Sequence, residues 1–237
     1  RKIDLILDDK ARKELFPGLD DIVAGPVTVA VDTLDDGRQA VVADASRAVL
    51  SIPWIGWEKG AGVKATVTFT MREDDNTTLL ADFALKGESF QVKGDVLLDG
   101  DAGFKSADFA EVRLNRGDDV SAKIVRSGRG LSVTIRGKSF DGRSLIKLYG
   151  ADGDGDSTGG GTAIALDATV DRLSGFGGET MSGVVITYQG DGSRAASVAI
   201  QANTTSGTPV TVSDRPEADR RVVRLSSTDA GAVLRFL

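Results

Sequence analysis

The chain has no histidine and no cysteine, and aromatic residues make up 5% of its 237 positions. Without the first two it cannot build a Ser-His-Asp triad, a cysteine nucleophile, a His or Cys zinc site, an iron–sulfur cluster or a disulfide. Chemistry run by carboxylates, lysine or tyrosine stays open. Missing cysteine says little about compartment, because an oxidising space permits disulfides without requiring them. The net charge is −6, and no basic stripe with interleaved aromatics is visible, so nucleic acid is not an expected partner. No apolar run approaches the roughly 20 residues that a spanning helix needs, and no signal peptide is recognisable. The sequence opens on Arg1 rather than Met, which reads as a piece of a longer chain, and any targeting segment would lie upstream.

What the chain has in quantity is strict alternation. Val63-Ala65-Val67-Phe69-Met71 interleaves with Lys64-Thr66-Thr68-Thr70, and Phe90-Val92-Val96-Leu98 with Gln91-Lys93-Asp95-Asp99. Successive side chains of a strand point to opposite faces, so each run makes one apolar and one polar face. Asp outnumbers Glu 28 to 7 and there are 29 glycines, which is turn chemistry rather than helix chemistry. Asp35-Asp36-Gly37, Asp74-Asp75-Asn76, Asp99-Gly100, Asn115-Arg116-Gly117 and Asp191-Gly192 separate the alternating runs. The pattern predicts strands near 3–8, 27–33, 38–44, 47–52, 63–71, 77–86, 89–98, 106–114, 119–126, 130–136, 163–172, 183–189, 194–202, 209–213 and 221–226. Their close spacing implies antiparallel neighbours.

Lys10–Phe16 reads as a short helix ended by Pro17-Gly18. Two further helix starts match each other. Ser139-Phe140-Asp141 precedes Leu145-Ile146-Lys147, and Ser227-Thr228-Asp229 precedes Val233-Leu234-Arg235. Ser or Asp can cap a first turn, and the basic residue suits the far end of the dipole. Val27–Ser46 echoes Val184–Asn203: each is a strand, an Asp-Gly turn and a strand rich in Ala and Val. These echoes predict two related units stacked into an extended sheet. The first spans residues 1–149 with a long insertion, 150–162 is a Gly/Asp-rich linker, and 163–237 is a second unit ending in a capped helix.

Several residues invite a functional reading. Asp152, Asp154 and Asp156 are spaced like the start of a calcium loop, but Ser157 and Ala163 stand where an EF-hand needs Gly and Glu, so a solvated linker is the expectation. Glu88, Glu111 and Glu179 lie outside turns and could serve glycoside chemistry, yet nothing in the sequence brings two of them together. The Gly175–Gly178 and Gly159–Gly161 runs lack the Lys-Ser/Thr of a phosphate loop, and no strand–helix–strand unit is expected around them. Trp54 and Trp57 either recognise a ligand or membrane interface or cover one end of a sheet. The apolar stripe itself fits either a closed core or a groove, since burial alone rewards both.

Three stretches carry a family resemblance. Ser226-Ser227-Thr228-Asp229-Ala230-Gly231-Ala232-Val233-Leu234-Arg235 resembles the Ser-x-Asp-Ala-Gly-x-hydrophobic-Leu-Arg segment common in the AsmA-like C-terminal region of bacterial envelope proteins. Leu50-Ser51-Ile52-Pro53-Trp54-Ile55-Gly56-Trp57-Glu58-Lys59 is similar to that family's Leu-x-Leu-Pro-x-Leu-Gly-Trp-x-Lys stretch, with Glu58-Lys59-Gly60 where Lys-Pro often stands. Val133-Thr134-Ile135-Arg136-Gly137-Lys138-Ser139-Phe140-Asp141 resembles its strand leading into a Gly-x-Ser-x-Asp turn. The resemblance implies a periplasmic protein held to the inner membrane by an N-terminal anchor. It also implies a curved β-groove that shields phospholipid acyl chains on their way to the outer membrane, possible contact with outer-membrane proteins, and no catalytic motif.

The resulting expectation is an all-β, extended, curved antiparallel sheet with an apolar inner face and short capping helices. No enzymatic activity, cofactor or metal is expected. Val67, Phe69, Phe83, Leu85, Phe90, Val92, Val96, Val133, Ile135, Leu166, Val170, Ile186 and Ile200 would line the groove for acyl chains. The alternative is a structural or scaffolding β-domain with a closed core that acts through protein contacts in outer-membrane assembly.

Overall fold

A computed structural model describes residues 2–15, 22–100, 103–150, 162–191, 195–217 and 220–237. The chain is all-β with short helices, and it divides into two compact units, 1–53 with 57–116 and 54–56 with 117–237. The division falls between residues 116 and 117, inside the stretch read from sequence as the first unit, and not at the Gly/Asp-rich linker. Residues 151–161, with Asp152, Asp154 and Asp156, lie outside the described residues, as does Phe16 at the end of the first expected helix.

The first unit contains β1 (Lys2–Leu7), α1 (Asp9–Leu15), β2 (Val23–Ala24), β3 (Val27–Thr33), β4 (Gln39–Asp44), β5 (Val49–Ile52), β6 (Trp57–Lys59), β7 (Ala65–Asp74), β8 (Thr77–Gly87), β9 (Gln91–Asp99) and β10 (Gly103–Arg113). Its main sheet runs β1-β3-β4-β7-β8-β9-β10, antiparallel throughout, and β2-β5-β6 form a separate small sheet. The short strands β2 and β6 were not expected, because two or three residues are too few to show a period. Pro53–Ile55 makes a 3-10 turn between β5 and β6.

The second unit contains β11 (Asp119–Ser127), β12 (Gly130–Asp141), α2 (Arg143–Gly150), β13 (Ile164–Ser174), β14 (Thr180–Gly190), β15 (Ala195–Asn203), β16 (Pro209–Glu217), β17 (Arg220–Ser227) and α3 (Ala230–Phe236). The strands lie side by side in chain order. One pairing departs from the antiparallel expectation: β12 and β13 run parallel, Leu131 opposite Ile164 through Asp141 opposite Ser174. A parallel pair needs a crossover of a dozen or more residues. The segment from Gly142 to Ala163, which begins with α2, supplies it. A strand–helix–strand unit therefore does surround the Gly159–Gly161 run, contrary to the reading above, though the Lys-Ser/Thr of a phosphate loop is still missing.

The two matching helix starts are used differently. Asp229 caps α3, its side chain accepting from the Ala232 amide at 3.0 Å, while Ala232, Val233 and Phe236 are buried. Ser139, Phe140 and Asp141 instead belong to β12, where the ladder to β13 holds them extended, and the Ser139 hydroxyl donates to Gly117 O at 2.6 Å. Asp141 still accepts from the Arg143 amide at 3.1 Å and pairs with its guanidinium. Both helices lie in the second unit and meet one turn, residues 175–179. Phe176 donates its amide to Phe236 O, Arg235 pairs with Glu179 at 2.6 Å, and Lys147 sits 5.8 Å from the Phe176 ring. Asp229→Ala is expected to lower the unfolding midpoint by a few degrees, because the Ala232 amide loses its acceptor and the first turn frays. Asp229→Asn should retain most of the midpoint, and thermal melts of the two variants decide whether the side chain caps.

Candidate functional site

Residues directly opposite across a ladder share a face, so the registers define apolar rows. In the first unit one row reads Leu5, Val29, Ala43, Val67, Leu85, Val92, Val112 from β1 to β10. The next reads Ile3, Val31, Val41, Phe69, and beyond a bulge in β8 continues as Phe83, Gly94, Phe109. Phe69 stacks on Phe83 at 6.4 Å, and Phe83 lies 5.8 Å from Phe109, giving an aromatic ladder over Gly94. A third row joins Met71, Leu80, Val96 and Ala107. The other face mixes apolar and charged residues and holds an ion pair, Lys93 with Glu111 at 3.1 Å.

The second unit repeats the arrangement. Ile124, Val133, Leu166, Tyr188 and Val198 form one row, and Ala122, Ile135, Ala168, Ile186, Ile200, Val212 and Leu225 another. Val170 lies beside Val184 in a third. On the reverse face Arg136 pairs with Asp167 at 2.6 Å.

Twelve of the thirteen expected lining residues sit in these rows, Val67, Phe69, Phe83, Leu85, Val92 and Val96 in the first unit and Val133, Ile135, Leu166, Val170, Ile186 and Ile200 in the second. Phe90 is the exception. It precedes β9 in the turn where Gly87 donates to Phe90 O, and its ring meets Trp57 edge-on at 5.4 Å. Trp57 is 8% exposed and its Nε1 donates to Leu114 O at 2.9 Å, so this pair closes one end of the first sheet. The same end holds a buried cation. The Lys59 ammonium donates to the carbonyls of Ala45, Ser46 and Ala48 at 2.6, 3.2 and 2.6 Å. Desolvation pushes its pKa below that of free lysine, with the Asp44 carboxylate pulling the other way. Trp57 and Lys59, in the stretch that carries the second resemblance, therefore hold structure together.

Of the twelve residues in the rows, only Val92, Val133 and Val170 are buried; Val67, Phe69, Phe83, Leu85, Val96, Ile135, Leu166, Ile186 and Ile200 are half-buried. The edge strands are more open still: Ile3 and Leu5 in β1 are 46% and 43% exposed, and Val223 and Leu225 in β17 are 64% and 49%. Sequence reasoning placed Met71 on the apolar side of its run but missed Leu80, Phe109, Val112, Ile124 and Val212 as members of these faces. For Phe109 and Val112 the alternation is interrupted by register shifts at Phe104/Ser106 and Phe109/Glu111.

Glu88 is exposed, Glu111 is held by Lys93 and Arg113, and Glu179 by Arg235. A hydrogen bond from Lys93 keeps Glu111 below the usual carboxylate range, and bonds from Arg143, Arg224 and the Ala232 amide do the same for Asp141, Glu217 and Asp229. A carboxylate whose folded pKa is depressed stabilises the fold above its unfolded pKa and loses that contribution as pH falls through the folded value. No histidine is present to titrate in between. Thermal midpoints should therefore be flat from about pH 5 to 8 and fall below about pH 4, where unfolded carboxylates protonate. A midpoint that moved between pH 6 and 7 would contradict this.

No protein-family model matches the chain, and the searches of curated proteins and of solved structures found no match either.

Proposed function

We propose that the two apolar faces are surfaces for lipid acyl chains, in a segment of a periplasmic AsmA-like envelope protein that shields phospholipid in a curved groove between the inner and outer membranes. The reading attributes no chemistry to the site: the chain's residues exclude water from hydrocarbon and do nothing more. The observation that carries it is the row structure combined with its exposure. Each face carries apolar rows across most of its strands, yet nine of the lining residues remain half-buried. Fully burying a Val, Leu or Phe is worth about 1.5–3 kcal/mol relative to leaving it exposed, so a chain laid on these rows would complete a burial left unfinished. The resemblance of the Ser226–Arg235 segment supports the family and the periplasmic location within this reading. The inner-membrane anchor and contacts with outer-membrane proteins belong to the same reading.

Phe83→Ser separates this from a closed scaffolding domain. Phe83 lies half-buried between Phe69 and Phe109; if the face is open, the variant should keep its unfolding midpoint while photo-crosslinking of a diazirine phospholipid falls several-fold. In a closed core the same change would bury an unpartnered hydroxyl and destabilise by about 1–3 kcal/mol or more. Lost stability, with no lipid adduct in the parent protein, would favour the scaffolding reading.

A further inference from the structure

Five of the exposed large apolar side chains sit on the two strands that pair on one side only among the described residues: Ile3, Leu5 and Ile6 on β1, Val223 and Leu225 on β17. Such an edge presents unpaired amides and carbonyls beside uncovered hydrocarbon, and proteins that stay monomeric blunt it with charge or proline. The charge on the two edges is complementary at their centres. β17 carries Arg220, Arg221 and Arg224 and no acid, whereas β1 carries Lys2 at its start and Asp4 at its middle. Asp4 is exposed and makes no ion pair among the described residues.

The backbone decides how these edges can meet. Leu34 N donates to Arg38 O across the β3–β4 hairpin, so the even residues of β3 face β4 and the odd ones, Val29 and Val31, face β1. Ile3 and Leu5 pair with them, which leaves the amides of Asp4 and Ile6 pointing out of the sheet. Thr204 N donates to Thr208 O across β15–β16. By the same count Val222 and Arg224 face β16, and the amides of Val223 and Leu225 point outward. An antiparallel junction sets outward residues opposite each other, which would put Val223 and Leu225 on the side of Asp4 and Ile6. A parallel junction sets the outward residues of one strand opposite the inward residues of the other. With Ile3 opposite Val223, Leu5 then falls opposite Leu225 and Asp4 opposite Arg224. Hydrocarbon meets hydrocarbon on the apolar face, and a carboxylate meets a guanidinium on the reverse. Glu217 already holds Arg224 at 2.6 and 3.0 Å, taking two of its five donors.

We propose that β1 of one copy adds in parallel to β17 of a second copy, so that the chain associates head to tail through its sheet edges. The chain already contains one junction of this kind, since β12 and β13 run parallel with the apolar rows continuing across them. Strand addition supplies backbone hydrogen bonds, and the alternating side chains supply register. The contact is heterologous, so a pair of copies keeps one free β1 and one free β17 and growth is open-ended. β1 has six residues, so the interface is small and the association weak and concentration-dependent.

Sedimentation velocity over a concentration series should show the average mass of the parent chain rising above that of the monomer. Proline at an outward-pointing amide spares the ladder on the other side of its strand. Ile6→Pro therefore blocks the β1 edge and Val223→Pro the β17 edge. Each variant should keep the circular dichroism of the parent and stay monomeric where the parent associates. An equimolar mixture of the two should form dimers, because one variant retains a free β17 and the other a free β1. Asp4→Lys breaks no ion pair among the described residues and should weaken association of the parent several-fold, which keeps the test open if a proline variant does not fold. A parent that stays monomeric at every concentration would overturn the proposal. So would a folded proline variant that self-associates alone, as pairing of like edges would allow, a mixture that forms no dimer, or association unchanged by Asp4→Lys.

Discussion

Trp57→Ala is expected to lower stability by about 3–5 kcal/mol, the range for emptying a large aromatic site in a core. The indole is 8% exposed, meets Phe90 edge-on and donates to Leu114 O at 2.9 Å. Its removal opens a void at the end of the first sheet and takes away the indole hydrogen bond to the buried Leu114 carbonyl. Trp57→Phe keeps the ring contact and loses only the hydrogen bond, so about 1–3 kcal/mol should go. Urea midpoints of the two variants separate packing from hydrogen bonding. A loss under about 1 kcal/mol for the alanine would mean that the sheet end is closed by something other than Trp57.

Gly94→Val should prevent the first unit from folding, and Gly94→Ala should cost about 3 kcal/mol or more. A Cβ added at Gly94 would stand 2.0 Å from Asp108 O and 2.6 Å from Phe109 Cα. Both neighbours are backbone of the adjacent strand, so no rotamer relieves the clash and β9 must part from β10. Gly117 is the control, because a Cβ there meets nothing within 4 Å, and its alanine variant should melt with the parent. Near-ultraviolet circular dichroism with denaturation curves measures all three. A Gly94→Ala protein as stable as the parent would refute the β9–β10 packing.

The strands were legible because alternation is a local signal: Val67-Phe69-Met71 and Phe90-Val92-Val96 show their faces without knowledge of their partners. Both hairpins that echo one another, β3–β4 and β14–β15, follow from that pattern and its Asp-Gly turns. What was hidden depends on pairing. Nothing local at Leu131 or Ile164 says that their strands run parallel, since the decision lies with the crossover between them. Ser139 and Asp141 looked like a helix cap because Ser and Asp compete for exposed amides, but a neighbouring strand claimed their backbone first. Phe90 has the parity of a lining residue and leaves the row because the chain turns at Gly87.

The linear strand order also governs how the molecule comes apart. An interior strand is held by two ladders, whereas β1 and β17 each pair on one side only among the described residues. Opening one of them breaks a single ladder and releases side chains that were half in water already. Lateral arrays of this kind behave as chains of nearest-neighbour couplings, in which partial states are reached by peeling from a margin. Fraying should therefore start at β1 in one unit and at β17 in the other, while the interior strands flanking Gly94 and Val184 stay closed. Cooperativity within each unit is graded from its frayed strand inward, so β1 and β17 come and go without loss of the folds they border.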